Sequence, residues 1–225
     1  MSQTKPLPAA LQRWAEQRIG GPVVSVRDAS HDWDRSRVWD LEGERGVHHY
    51  LKVSPSVKFF TRESRAYRHI VPALGHTRAP HLIDSRAQDL ALLLTAVPGA
   101  PAKELGLDVA EWRTVHQQAG ALCARLHEAG ELDRGDRVEA EASLNAAADG
   151  AEKYLARAGD RLNQDEQQRI RDHAARLRRV GPVPVGYIHG DNHARNILYT
   201  PDAADETDDP DVFVAVIDFE RFVSA

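Results

Sequence analysis

The chain has 225 residues, enough for one or two hydrophobic cores, and its 42% hydrophobic and 28% charged residues are ordinary for a soluble globular protein. No apolar run approaches the roughly 18–20 residues needed to span a bilayer, and the opening stretch, MSQTKPLPAALQRW, lacks the apolar core and cleavage site of a secretory signal. The formal net charge of −5 argues against a general nucleic-acid binder, and the single cysteine, Cys123, rules out an internal disulfide, so a reducing cytoplasm fits.

Leu7, Leu11, Trp14 and Ile19 mark the apolar side of a short amphipathic helix over 7–19. Three β-like runs follow, VVSVRDA (23–29), RVWDLEG (37–43) and HHYLKVS (48–54). Turn residues separate them, which predicts an antiparallel meander. A helix is predicted from Val57 to Leu74, then strands over 81–86 and 90–97, with Val97-Pro98-Gly99 as a turn or hinge. EWRTVHQQAGALCARLHEAG (111–130) carries an apolar stripe and stops at Gly130. Cys123, inside it, is expected as a buried core thiol. Residues 131–150 read as acidic and polar, and 151–179 as one or two charged helices, before Gly181-Pro182-Val183-Pro184 breaks the pattern. The end of the chain reads as strand, loop, strand, a solvated acidic loop over 202–211, and strand.

The chemistry sits in that last segment. HGDNHARN (189–196) places Asp191 five residues before Asn196, and VIDFE (216–220) adds Asp218 at the end of an apolar run. Phosphoryl transfer from ATP needs such a set: one carboxylate to take a hydroxyl proton, and an amide oxygen with a second carboxylate to hold Mg²⁺ on the phosphates. A carboxylate at the end of a buried strand is poorly solvated unless it meets a cation. An alternative takes His189, Asp191 and His193 as metal ligands, but leaves VIDFE unexplained. His189 is expected instead to pack and hydrogen-bond inside the loop. Arg195 has two readings: it neutralises developing charge and orients Asp191, or it salt-bridges an acidic residue of its own lobe.

Lys52 lies between Leu51 and Val53 in the third β-like run. Glu63, eleven residues later, shares a helical face with Phe59, Tyr67 and Ile70, and a charge on an apolar stripe wants a buried partner. A strand lysine paired with a helix glutamate is how kinases place the α- and β-phosphates. The residues therefore read as an ATP-dependent kinase of a small molecule.

HGDNHARNIL with VIDFE, and Lys52 with RESRAYR, resemble the aminoglycoside phosphotransferase family within the protein-kinase-like fold, and LLLTAVPG and CARLHEAG are similar to it as well. The resemblance implies an α+β fold of two lobes: a small antiparallel β-sheet lobe with one helix (1–97) over a mainly helical lobe (98–225), with ATP between them. It implies Asp191 as catalytic base, Asn196 and Asp218 as Mg²⁺ ligands, and Glu220 beside a second Mg²⁺ through water. Lys52 would bind phosphates and Glu63 would orient it, while Thr95 and Val97 would meet adenine through a backbone carbonyl and amide. The implied acceptor is a hydroxylated small molecule, an aminoglycoside or another antibiotic. The charge of −5 and the cluster Glu131, Asp133, Asp136, Glu139 and Glu141 suit a cationic one bound near 131–160. A metabolic kinase of choline or a sugar, and an inactive nucleotide-binding module, are the alternatives. Two departures from the family matter. SHDWDRSR (30–37) has no glycine, so backbone amides, Ser30, Arg35 or Ser36 would have to reach the phosphates. Members also usually continue with helices well beyond the metal motif, so either the chain is cut short there or its acceptor pocket is built differently, with residues 131–180 then its expected main source.

Overall fold

In a computed structural model the described residues are 6–30, 36–130, 134–180, 186–201, 214–219 and 223–224. They form two compact units, Met1–Gly130 with His189–Phe222, and Glu131–Ile188 with Val223–Ala225.

The first unit opens with helix α1 (Ala9–Ile19) and a sheet of five antiparallel strands: β1 (Val23–Asp28), β2 (Arg37–Gly43), β3 (His48–Val53), β4 (Leu82–Arg86) and β5 (Ala91–Thr95). Their order is β1-β2-β3-β5-β4, so the meander expected from the sequence is present and β5 inserts beside β3. Strand alternation divides the side chains between two faces. Trp39, Leu41, Leu51, Ala91 and Leu93 pack on Leu11, Trp14 and Ala15 of α1. Lys52, one residue on from Leu51, therefore points away from that core.

Helix α2 (Val57–His69) starts at Ser56, whose side chain accepts from the Phe59 amide, and buries Phe60, Glu63, Ser64, Ala66 and Tyr67. It is shorter than the sequence suggests: Val71–Leu74 is a separate 3₁₀ turn with Pro72 at its start, where proline lacks the amide that an α-helix interior uses. Its apolar face is also rotated, since Phe60 is buried and Phe59 only half-buried. After β6 (Ala100–Pro101) comes α3 (Val109–Glu128). It begins two residues before the expected start because Asp108 and Glu111 close a reciprocal capping box. Cys123 on α3 is half-buried rather than a full core residue.

In the second unit, α4 (Arg134–Ala158) and α5 (Gln164–Leu177) pair with each other. The stretch read as acidic and polar is helical from residue 134, since its alanines outweigh its polar character as helix formers. Asp149 and Glu152 of α4 bind Arg178 and Arg171, at 2.7 and 2.9 Å. Strand β7 (Tyr187–Ile188) pairs with the terminal β10 (Val223–Ser224). Back in the first unit, β8 (Ile197–Tyr199) and β9 (Val214–Val216) complete a second sheet in the order β6-β8-β9. The acidic loop expected over 202–211 lies outside the described residues. Among those described, no helix is long and apolar enough to cross a membrane.

Gly99 lets β6 reach β8. Its φ is +104°, and a Cβ there would lie 2.9 Å from the Tyr199 carbonyl oxygen. Gly99→Ala is expected to destabilise the protein by about 1–3 kcal/mol through backbone strain alone. Urea unfolding measures this, and an unchanged midpoint would show that the close approach is not required.

Candidate active site

Lys52 is the centre of a three-member charge cluster. Its Nζ lies 3.0 Å from Glu63 Oε1 and 2.5 Å from Asp218 Oδ1. The Lys52 and Glu63 side chains are 7% and 0% exposed, and Asp218 is 23% exposed. The ion pair expected from the sequence between Lys52 and Glu63 is therefore present and almost fully desolvated, with Asp218 as a second carboxylate on the same ammonium.

Asp218 is set in place by its backbone. Strand β9 pairs with β8 along one edge, Val216 opposite Ile197. On its other side Arg78 brackets it: the Val216 amide donates to the Arg78 carbonyl at 2.8 Å, and Arg78 Nη1 donates to the Val214 carbonyl at 3.4 Å. The next amide, Ile217 N–H, donates to the Asn196 carbonyl at 2.9 Å, which ties the Asp218 segment to the HGDNHARN loop. Asp218 itself has a φ of +66°, in the left-handed region that non-glycine residues seldom enter. Such strain persists only where the surroundings over-determine it, and it clusters at functional sites. The following Phe219 is fully buried, edge-on to Tyr67 of α2 at 5.4 Å and 4.5 Å from the His189 ring. Burial, and then the charge of Glu63, push the Tyr67 phenol well above its ordinary range.

The loop carrying Asp191 is held by its own polar groups. His189 Nε2 donates to the Ile217 carbonyl at 2.8 Å, and the Asp191 amide donates to His189 Nδ1 at 3.3 Å. A carbonyl only accepts, so this pattern fixes the neutral tautomer with its proton on Nε2. Burial holds the His189 pKa below its ordinary 6.5, against the opposing pull of the Ile217 carbonyl. Asn196 Nδ2 donates to the Asp191 carbonyl at 3.0 Å and closes the loop. Two outside contacts steady it: Lys103 N–H donates to the Ala194 carbonyl at 3.1 Å, and Asn192 Nδ2 lies 2.9 Å from Cys123 Sγ. Burial raises the Cys123 thiol, more than the Asn192 contact lowers it.

This geometry overturns the alternative in which His189, Asp191 and His193 bind a metal. Both His189 nitrogens are already engaged, Nε2 on the Ile217 carbonyl and Nδ1 by the Asp191 amide, so it has no lone pair to offer. Asn196 and Asp218 fit a hard cation better. The Asn196 amide nitrogen is engaged, which leaves its oxygen as the donor atom, and Asp218 adds carboxylate oxygen. Arg195 has a half-buried side chain, and its amide donates to His193 Nδ1 at 3.3 Å. Thr95 ends β5 with its amide on the His81 carbonyl at 2.9 Å and its hydroxyl accepting from the His81 amide at 2.8 Å. Val97 follows, half-buried, in the hinge. Ser30, considered as a phosphate contact, is committed elsewhere: its hydroxyl accepts from the Val38 amide at 3.0 Å. Glu220 and Arg35 lie outside the described residues, as do Glu131, Asp133 and the side chains of Asp136 and Glu139. Sequence reasoning missed Arg78, Tyr67 and Phe219 as supports of the site. Nothing short of their neighbours in space distinguishes them from other buried residues.

The chain matches the model of the phosphotransferase enzyme family (APH) over residues 25–225. No curated protein matches it in sequence. Among solved structures it is similar to the streptomycin–ATP–APH(2")-IIa ternary complex, at 15% identity and a TM-score of 0.64 over 99% of this chain and 73% of that one. It is also similar to a thermostable mutant of aminoglycoside phosphotransferase APH(4)-Ia in ternary complex with ADP and hygromycin B (14% identity, TM-score 0.63, 96% and 73% covered). A third is the macrolide 2'-phosphotransferase MphH from Brachybacterium faecium (18% identity, TM-score 0.60, 96% and 72% covered). The protein-kinase-like fold expected from the motifs is thus the fold of this chain.

Removing one partner of a buried ion pair leaves the other charge unpaired. Lys52→Ala is expected to cost about 3–5 kcal/mol in unfolding free energy, and adding Glu63→Gln to recover part of it. Denaturant titration of the single and double variants tests this; strict additivity would mean that the two groups do not share a desolvated contact. A second expectation concerns pH. Because the folded-state pKa of His189 is depressed, its contribution is fully present above about 6.5 and is lost as the pH falls toward the lower folded value. Stability between about pH 7.5 and 5 should decline less steeply in His189→Asn than in wild type. Parallel curves would remove His189 as the titrating group.

Proposed function

The chain belongs to the phosphotransferase enzyme family and is a small-molecule phosphotransferase, and from that premise we propose that it moves the γ-phosphate of ATP to a hydroxyl of an antibiotic. The observation that carries this reading is Lys52, held between Glu63 and Asp218 in the same compact unit as the Asp191–Asn196 loop. In this reading residues 1–97 form the nucleotide lobe and 98–225 the catalytic lobe. Lys52 neutralises the α- and β-phosphates, and Glu63 keeps its ammonium from swinging away. Thr95 and Val97 take the adenine edge through backbone groups. Asp191 accepts the acceptor's hydroxyl proton, and Arg195 offsets charge on the phosphoryl group.

Asn196 and Asp218 would hold Mg²⁺, with Glu220 reaching a second ion through water. When bound, Mg²⁺ supplies charge neutralisation on the phosphate oxygens. The buried Asn196, closed onto the Asp191 carbonyl, keeps the base and the amide donor in a fixed relation. The enzyme acts in the cytoplasm, where ATP is available.

The solved structures with streptomycin and hygromycin B support an aminoglycoside as acceptor, and the macrolide enzyme supports the wider class of hydroxylated antibiotics. A cationic acceptor also suits the net charge of −5. The test is Mg²⁺-dependent ATP consumption across aminoglycosides, macrolides, choline and sugars at rising salt. Turnover on an aminoglycoside that weakens with salt is expected, and Asp191→Ala should lower it by about 10²–10⁴ while ATP still binds. Preference for a neutral metabolite would defeat the antibiotic assignment; near-normal turnover of Asp191→Ala would remove the base.

A further inference from the structure

His193 stands two residues beyond Asp191 and takes no part in the roles assigned above. Its side chain is 51% exposed, yet its ring is oriented by the loop. The Arg195 amide donates to its Nδ1 at 3.3 Å, and its own carbonyl accepts from the Asn196 amide at 2.8 Å. A ring nitrogen that accepts a hydrogen bond carries no proton, so the neutral imidazole has its N–H at Nε2. That Nε2 lies 3.9 Å from Asp191 Oδ1, beyond the roughly 3.2 Å limit of an N–H···O bond. That N–H therefore stands near the carboxylate without being hydrogen-bonded to it.

A carboxylate base and a transferring phosphoryl group are both anionic, and they must approach closely for the reaction to occur. A neutral N–H fixed beside the carboxylate relieves that repulsion without first protonating the base. We infer that His193 is a further catalytic residue, whose Nε2–H donates to a non-bridging oxygen of the phosphoryl group in flight. The inference rests on the phosphoryl-transfer reading above. In that step the acceptor hydroxyl gives its proton to Asp191 as its oxygen bonds to the γ-phosphorus. The bond from that phosphorus to the bridging oxygen breaks, and its electron pair leaves on ADP. Asp191 later releases the proton to water. His193 keeps its own proton throughout and only stabilises charge.

The test needs no acceptor. Aluminium fluoride bound with Mg²⁺ and ADP mimics the planar phosphoryl group, and a transition-state contact shows as tighter binding of that mimic than of ADP alone. Calorimetric titration of wild type, His193→Ala and His193→Gln with Mg²⁺–ADP, with and without aluminium fluoride, reads it directly. Fluoride should tighten ADP binding to wild type. His193→Ala should lose about 10²-fold of that enhancement while binding ADP alone as wild type does, and His193→Gln, which retains an N–H donor, should regain most of it. Equal enhancement in wild type and His193→Ala would overturn the role of His193 and leave the phosphotransferase reading intact. A wild type that binds ADP without any fluoride enhancement also overturns the contact. A wild type that binds no ADP at all overturns the reading of the site beneath it.

Discussion

A lysine ammonium that water scarcely reaches is the constraint on which the first unit is organised. At 7% exposure the Lys52 side chain cannot rely on solvent, so carboxylates must meet it. One comes from helix α2 and one from the segment after β9, from opposite ends of the sequence. The need to satisfy a single charge thus fixes the approach of the helix to the sheet and the end point of a distant strand. Replacing such a cluster by apolar side chains is often no less stable, so burying these charges is not accounted for by stability alone.

The loop that carries Asp191 is held by different means. It has almost no regular structure, and its neighbouring strands β7 and β8 have two and three residues. Order comes from polar groups that satisfy one another at short range: a histidine that both donates and accepts, an asparagine that closes onto the Asp191 carbonyl, and backbone amides turned toward ring nitrogens. Such networks are strong only when every member is paired. The aromatic contact from Tyr67 through Phe219 to His189 then links helix α2, the segment after β9 and the loop through packing.

Some of this was legible in the residues and some was not. The meander and the two later strands were, because turn residues separate the β-like runs. The Lys52–Glu63 pair was legible because a glutamate on an apolar helical face is costly without a partner. The phase of α2 was not, since Phe59 and Phe60 are adjacent and either completes an apolar stripe. The start of α4 was not, since residues 134–150 look acidic and polar while their alanines favour helix. The left-handed Asp218 carries no glycine to announce it, and Arg78 resembles any other arginine until β9 lies beside it. Long-range geometry of this kind depends on which strand edge comes to lie near which side chain, and local pattern does not record that.

The distance between the two carboxylates along the chain has a consequence for how the protein is made. Lys52 and Glu63 are eleven residues apart, while Lys52 and Asp218 are separated by 166. Closing the larger loop costs about 4–5 kcal/mol beyond a constant if the intervening chain is unordered. During synthesis the early sheet and helix α2 can therefore pair their charges soon after leaving the ribosome, but the second carboxylate arrives only when translation is nearly complete. Until then Lys52 has only the nearer of its two carboxylates.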